Sequence, residues 1–458
     1  MRSIRFLPSR LRGDGFGAVL ARGAGGAFFA QSAALGVGFG LHLTLARALG
    51  ADSYGVYSYA FAWIALLAFL CRLGLGTGIV RLLGEAQARD RFAEMRGALD
   101  WSDRVVMIVA IVTAACMGAL LVACVDHIEP ELRMSLAIGL LALPILALLG
   151  IREATLRAFR HPALAFAPDG ILRTGLTAIG VAVTAALYPA LLSAPVAMSC
   201  TAIAAGTALG FARVAIRRVE PRELASAASD RKKRREWLHF ALPLLLLGGV
   251  NLIQRRADVL MLGALVGTTE AGFYTAAGRY ADLMLFPLQA ANAILAPLVV
   301  HLHSQRRPAE IQRVVSLSTI GIAGSTLPLA FLLWFAGAPL LALFGQPFVA
   351  ARAALACLVA GQLVNALSGS VTLLLTMIGH QQAAAKAAMA GALLNIALNA
   401  LWIPRYGMFG AAMATACSIA LTNCAMLVVV RRRLDIDPSA FGLLRLRRRG
   451  AGTDRPTS

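Results

Sequence analysis

Gly50-Ala-Asp-Ser-Tyr-Gly55-Val-Tyr57 joins two long apolar runs, and Gly267-Thr-Thr-Glu-Ala-Gly272-Phe-Tyr274 joins two more, 217 residues later. The shared pattern, G-x4-G-x-Y, falls at the same corner of each pair. A short connection between long helices needs residues at positive φ, which glycine adopts without penalty. A tight turn therefore explains either stretch taken alone. Their matching positions imply more: an internal duplication with an even number of spans per half. Such halves are related by an axis along the membrane normal, with a substrate site between them.

Working outward, apolar runs occupy residues 24–46, 54–75, 104–124, 133–151, 168–188, 195–215, 238–262, 273–295, 314–336, 353–378, 383–403 and 408–430. These are numbered spans 1 to 12 here. At such length only helices satisfy every backbone N–H and C=O inside a bilayer. The expected class is all-α, with twelve transmembrane helices as two six-helix halves. The halves run over 1–216 and 238–430, with a basic linker at 217–237 and a basic tail at 431–458. Hydrophobic residues make up 59% and charged ones 14% of the 458, far from the composition of a soluble enzyme. The seven cysteines show no CxxC or metal-ligand spacing and read as small apolar side chains.

The net charge of +20 would suggest nucleic acid in a soluble chain. Here it follows topology. With a cytoplasmic N-terminus, 34 of the 43 Lys and Arg fall at the inner ends of spans, against four (Arg47, Arg133, Arg352 and Arg405) at the outer ends. This is the positive-inside pattern. It places both termini in the cytoplasm, and a nucleic-acid partner is not needed. The strongest cluster is Arg231-Lys232-Lys233-Arg234-Arg235, in the central linker.

Five cations remain inside or near spans: Arg72, Arg173, Arg255, Arg256 and Arg279. Span 7 carries Asn251, Gln254, Arg255, Arg256 and Asp258; span 8 carries Arg279, Asp282, Gln289 and Asn292. Each ionised side chain at the bilayer centre costs about 2.5–3.5 kcal/mol on insertion scales, so these must face protein or water. Arg255/Asp258 and Arg279/Asp282 are i,i+3 neighbours, each on one helix face. One reading is an ion-pair network that locks two helices. The other is a hydrated, net-cationic cavity for an anionic headgroup, because planar guanidinium matches phosphate bidentately. Arg47, at the outer end of span 1, would assist. Arg72 either belongs to the same path or snorkels to the inner surface, and Arg173 with Asp169 reads as interfacial. Gln362 and Asn365 of span 10 and Asn395 and Asn399 of span 11 suit helix bridging or sugar contact. Glu129 and Glu131 read as solvated. Gly36, Gly38 and Gly40 suggest a pliable or closely packed span 1. Pro144, Pro243, Pro287 and Pro328 can kink their spans. No catalytic constellation occurs.

Arg47-Ala-Leu-Gly50, Tyr54-Gly55-Val-Tyr57 and Leu73-Gly74-Leu-Gly76-Thr77 resemble the opening of the polysaccharide-export flippases of the multidrug/oligosaccharidyl-lipid/polysaccharide (MOP) exporter superfamily. Asp258, Gly272-Phe-Tyr274 and Ala276-Ala-Gly-Arg279 resemble the corresponding signature of the second half, and Tyr406-Gly407-Met-Phe-Gly410 fits a later turn. The resemblance implies a non-enzymatic flippase for undecaprenyl-pyrophosphate-linked oligosaccharide. It would work by alternating access in the bacterial inner membrane, beside other polysaccharide-assembly proteins. No cofactor is expected beyond possible H⁺ or Na⁺ coupling. On this reading Arg47, Arg255, Arg256 and Arg279 bind pyrophosphate, and Asp258 and Asp282 hold those cations or couple an ion. Asn251, Gln254, Gln362, Asn365 and Asn395 contact sugar. Cys71-Arg72 departs from the family, which often has an acid before Leu-Gly-Leu. The alternatives are a small-molecule or drug antiporter of the same superfamily and a membrane-embedded polymerase or ligase. A cationic cavity disfavours cationic drugs, and the outer loops are short for a catalytic domain.

Overall fold

The computed structural model describes residues 14–230 and 234–440. The arginines at 2, 5, 10 and 12, the first three residues of the basic cluster and most of the basic tail lie outside them. Among the described residues the fold is all helical. Spans 1 and 2 are one helix, Asp14–Cys71, bent at Gly50 (φ 75°). Spans 11 and 12 likewise form Gln381–Leu434, bent at Gly407 (φ 54°). Spans 3, 4 and 6 are Phe92–Ala123, Pro130–Ala158 and Ala194–Val219. Span 5 runs Ala167–Leu187, opening with a π-helical turn over Ala167–Arg173. Span 7 is Arg234–Leu265, span 9 Pro308–Phe335 and span 10 Arg352–Ser368. Span 8 is a pair, Thr268–Leu283 and Phe286–Ser304, bent by 43°. Each expected run thus falls on a helix. Among the described residues eight helices, or nine with the bent pair, are long and apolar enough to cross a membrane, two of them being the double-length helices of spans 1–2 and 11–12.

Proline acts at only one of the four candidate kinks in the way expected. Pro287 opens the second segment of span 8, just after the break. A residue without an N–H sits most easily in a first helical turn, while in spanning helices neighbouring groups re-satisfy the freed carbonyl and interior prolines are tolerated. Pro144, Pro243 and Pro328 remain inside unbroken helices. A Cβ on Gly36, Gly38 or Gly40 would meet nothing within 4 Å, so those glycines face open space and close packing is not their role.

Within the halves, span 4 packs on span 6 and span 10 on the span 11–12 helix, while spans 1 and 2 pack on span 8 and join the halves. The joint is the duplicated motif itself. A Cβ on Gly272 would lie 2.7 Å from the Gly55 Cα, so the two glycine backbones touch. Around this contact Tyr54, Tyr57, Phe344 and Phe348 form a buried aromatic core. The opposite end is held by Phe28 against Phe286, with ring centroids 5.0 Å apart, and by a side-chain hydrogen bond from Gln31 to Gln289.

The repeat extends to hydrogen bonds. Tyr57 bonds Thr201 at 2.9 Å, and the hydroxyl of Tyr274, its equivalent, lies 3.3 Å from Thr415 Oγ1. The last span of each half also starts against a glutamate. Ala194 N donates to Glu131 and Met408 N to Glu270, at 2.9 and 2.8 Å. Glu131 also accepts from Ser53 at 2.7 Å, so it is a helix cap and not a solvated loop residue.

Candidate functional site

A cavity of about 440 Å³ lies among spans 7, 8, 10, 11 and 12. It gathers Gln254, Arg255, Arg256, Asp258, Arg279, Asp282, Gln362, Asn365 and Asn395, residues scattered over more than 140 positions of the chain. The sequence brings them together because each sits on the polar stripe of an otherwise apolar helix, and only a shared interior hides all the stripes from lipid. Asn251 is on span 7, but its side chain lies outside the described set.

Two expectations change. Asp258 does not pair with Arg255. Its carboxylate accepts from the Tyr274 hydroxyl, Thr415 Oγ1 and Asn399 Nδ2, each at 2.6 Å. Asn395 backs this cage, bonding Thr415 at 3.2 Å and accepting from Asn399 at 3.1 Å. Among the described residues no cation lies in ion-pair range of Asp258. Three well-directed neutral donors satisfy the carboxylate, leaving the Arg255 guanidinium exposed to the cavity. In the first half, 217 residues earlier, the equivalent position is Leu41, which is buried and apolar.

Arg47 is the second change. It stands outside the cavity, exposed, with Nε donating to the Leu343 carbonyl at 2.6 Å. That carbonyl follows the short helix Gly337–Ala342, whose C-terminal end attracts a cation.

Arg279 and Asp282 stand 3.6 Å apart, a loose pair with both side chains partly exposed. Arg279 Nε is buried without a hydrogen-bond partner, as is the Asn292 amide oxygen. Asn365 donates to Gln362 at 3.2 Å, so these two bond each other within span 10 and do not bridge helices.

Arg256 faces two ways. It lines the large cavity and also a smaller one of about 150 Å³ with Arg72, Glu153, Asp169 and Arg173. Arg173 is buried and pairs with Asp169, so it is not interfacial. The π-helical turn carries both residues inward. Phe61 lies between the halves, 5.3 Å from the Arg173 guanidinium and 6.0 Å from that of Arg256. Each contact is in cation–π range. Arg72 donates to the Ala68 carbonyl at 3.1 Å and lines this chamber. Sequence reasoning missed Glu153 and Tyr274; for Tyr274 the duplicated motif was the available signal.

Long apolar helices gathered around a polar interior cavity define a multi-pass membrane protein. The chain belongs to the polysaccharide biosynthesis protein family, whose profile matches residues 20–303. It is similar to the probable low-salt glycan biosynthesis flippase Agl15 of Haloferax volcanii, 26% identical over 167 residues. That match covers 36% of this chain and 35% of the relative, so it spans about a third of the relative's length. The fold resembles that of the lipid II flippase MurJ in an inward closed conformation. The TM-score is 0.71 at 14% identity, covering 94% of this chain and 93% of the other. An inward-facing multidrug resistance MATE family transporter gives 0.71 at 13% identity, covering 87% and 94%. A MOP superfamily transporter from Pyrococcus furiosus, described as having a binding pocket of reversed polarity, gives 0.64 at 12%, covering 91% and 95%.

Proposed function

We propose that this protein flips an undecaprenyl-pyrophosphate-linked oligosaccharide from the inner to the outer leaflet of the bacterial cytoplasmic membrane. The carrying observation is the charge arrangement of the large cavity. Arg255, Arg256 and Arg279 converge on it, while one of its two carboxylates, Asp258, is enclosed by neutral donors. Guanidinium groups without committed partners in a low-dielectric site recognise a pyrophosphate bidentately. The buried, unpartnered Nε of Arg279 supplies one such donor. Gln254, Gln362 and Asn365 offer amides to sugar hydroxyls. The duty is positional, with no bond made or broken. Membership of the polysaccharide biosynthesis family supports the glycan part of this reading.

Alternating access is the mode of transport we infer. The halves are joined at one end by Gly55–Gly272 and at the other by Phe28–Phe286 with Gln31–Gln289. The large cavity is lined by second-half spans alone and not by both halves as the duplication implies. Arg256 links it to the smaller chamber that borders the first half, which is the route parting of the halves would open. The positive-inside pattern puts the Gln31–Gln289 end and both termini at the cytoplasm. Asp258 is the natural seat for a coupling ion. Its cage holds one negative charge with oxygen atoms of Thr415, Asn395 and Asn399 around it, and a proton or Na⁺ would neutralise that charge.

Arg279→Ala tests the pyrophosphate role. Surface polysaccharide should disappear while the amount of membrane-inserted protein is unchanged, and lipid-linked repeat units should accumulate. Normal export in that variant would remove the role.

A further inference from the structure

Outside the central cavities, a groove of about 360 Å³ opens between spans 3 and 6 at the basic end of the bundle, floored by span 4. We propose that it is a binding site for a phospholipid with a phosphoethanolamine headgroup, separate from the transported substrate. Its lining carries four guanidiniums and three carboxylates. A mixed lining of this kind suits a ligand that is itself both anionic and cationic.

The free valences support the same choice. Arg152 pairs with Asp103 on the floor, yet Arg152 Nε and Asp103 Oδ1 are each buried with no hydrogen-bond partner. One is a donor and the other an acceptor. A phosphodiester oxygen satisfies the first and an ammonium N–H satisfies the second; a simple anion satisfies only one. Leaving either buried and unpaired is costly.

On the span 6 wall, Arg213 and Arg217 are exposed, one helical turn apart on the same face, with no ion-pair partner among the described residues. They give the phosphate its remaining donors. On the span 3 wall Arg96 is held by Asp100 at 3.6 Å.

The helices that wall the groove also carry lipid-facing surface beside it. Towards the middle of the bundle, span 3 exposes Ile108, Ile111 and Val112, and span 6 exposes Ile203 and Phe211, on faces adjacent to the charged lining. Basic pockets between helices at the inner surface of a membrane are the usual seats of lipid headgroups. Here the carboxylates add selectivity for a headgroup that can donate.

The full chain, purified in detergent, is titrated with phosphatidylethanolamine, phosphatidylcholine or phosphatidylglycerol, and bound lipid is counted by native mass spectrometry. Phosphatidylethanolamine should be held roughly tenfold more tightly than phosphatidylcholine, whose ammonium has no N–H to offer Asp103. Arg213→Gln and Arg217→Gln, singly and together, should lower its retention, while Arg104→Gln, an exposed position on span 3 outside the groove lining, should not. Asp103→Asn should erase the preference for phosphatidylethanolamine over phosphatidylcholine. Equal retention of the two lipids by the unaltered protein would overturn the proposal, as would full retention in the double arginine variant. Displacement of the lipid by soluble phosphoethanolamine at matching concentration would show a site for the free compound and overturn the lipid assignment.

Discussion

Thr269 Oγ1 donates to Asp52 Oδ1 at 2.7 Å, and these residues are separated by the same 217 positions that separate the two copies of the repeat. A residue that bonds its own counterpart lies on the local two-fold axis, as in an isologous dimer interface. The Gly55–Gly272 contact beside it has the same property. The axis therefore passes through the motif that first revealed the duplication.

Adding a methyl group on that axis should be costly. Gly272→Ala forces a Cβ to 2.7 Å from the Gly55 Cα, and Gly55→Ala drives one into the Thr268 backbone. Overpacking of this kind destabilises by about 1–3 kcal/mol. Thermal unfolding of the purified protein should show a lowered Tm for both. Asp52→Ala, which loses one exposed hydrogen bond, should cost less than about 1 kcal/mol.

The separation of Arg47 from the cavity gives a contrast. Arg47→Ala removes an exposed contact to the Leu343 carbonyl and should leave export near normal. Arg256→Ala removes a cation shared by both chambers and should abolish export. Complementation of a deletion strain, scored by surface polysaccharide at equal protein level, compares them directly.

Asp258 should separate folding from coupling. Asp258→Ala leaves Tyr274, Thr415 and Asn399 facing a void and should destabilise by about 1–3 kcal/mol. Asp258→Asn preserves the shape and should keep the protein folded while removing the response of export to the ion gradient. Tm and transport into vesicles with imposed H⁺ or Na⁺ gradients give the two readouts. Unaltered gradient dependence in Asp258→Asn would remove the coupling role.

Tying the Gln31–Gln289 end shut should stop transport. Cysteines placed at both positions and joined by a short bifunctional thiol reagent hold spans 1 and 8 together. Export should stop with the cross-link and resume when a cleavable reagent is reduced. The seven native cysteines are first replaced by serine or alanine, and variants carrying only one of the two added cysteines should be unaffected by the same treatment.

Span number, the duplication and most of the large cavity were legible in the sequence, because apolar length, charge placement and motif spacing are local properties. Intramembrane charge has few places to go, so Arg255, Arg256, Asp258, Arg279 and Asp282 had to share an interior. Partners were less legible. The i,i+3 spacing permits an Arg255–Asp258 pair, but Asn399 and Thr415, each more than 140 positions away, reach the carboxylate instead. Radial direction was hidden as well. Arg47 and Arg173 both sit near span ends, where sequence position alone does not tell an inward side chain from an outward one. The π-helical turn that buries Arg173 has no clear signature in the chain.

The unequal pair Leu41 and Asp258 limits the energetics of the proposed cycle. Duplication has left an ionisable seat in one lobe, while its mirror position is hydrocarbon. Ion coupling through that one seat would supply one elementary charge per stroke, about 2.3 kcal/mol at 100 mV. The pyrophosphate moved outward carries its own negative charge down the same inside-negative potential, so the cargo itself becomes an electrical driver of the cycle beside the seat.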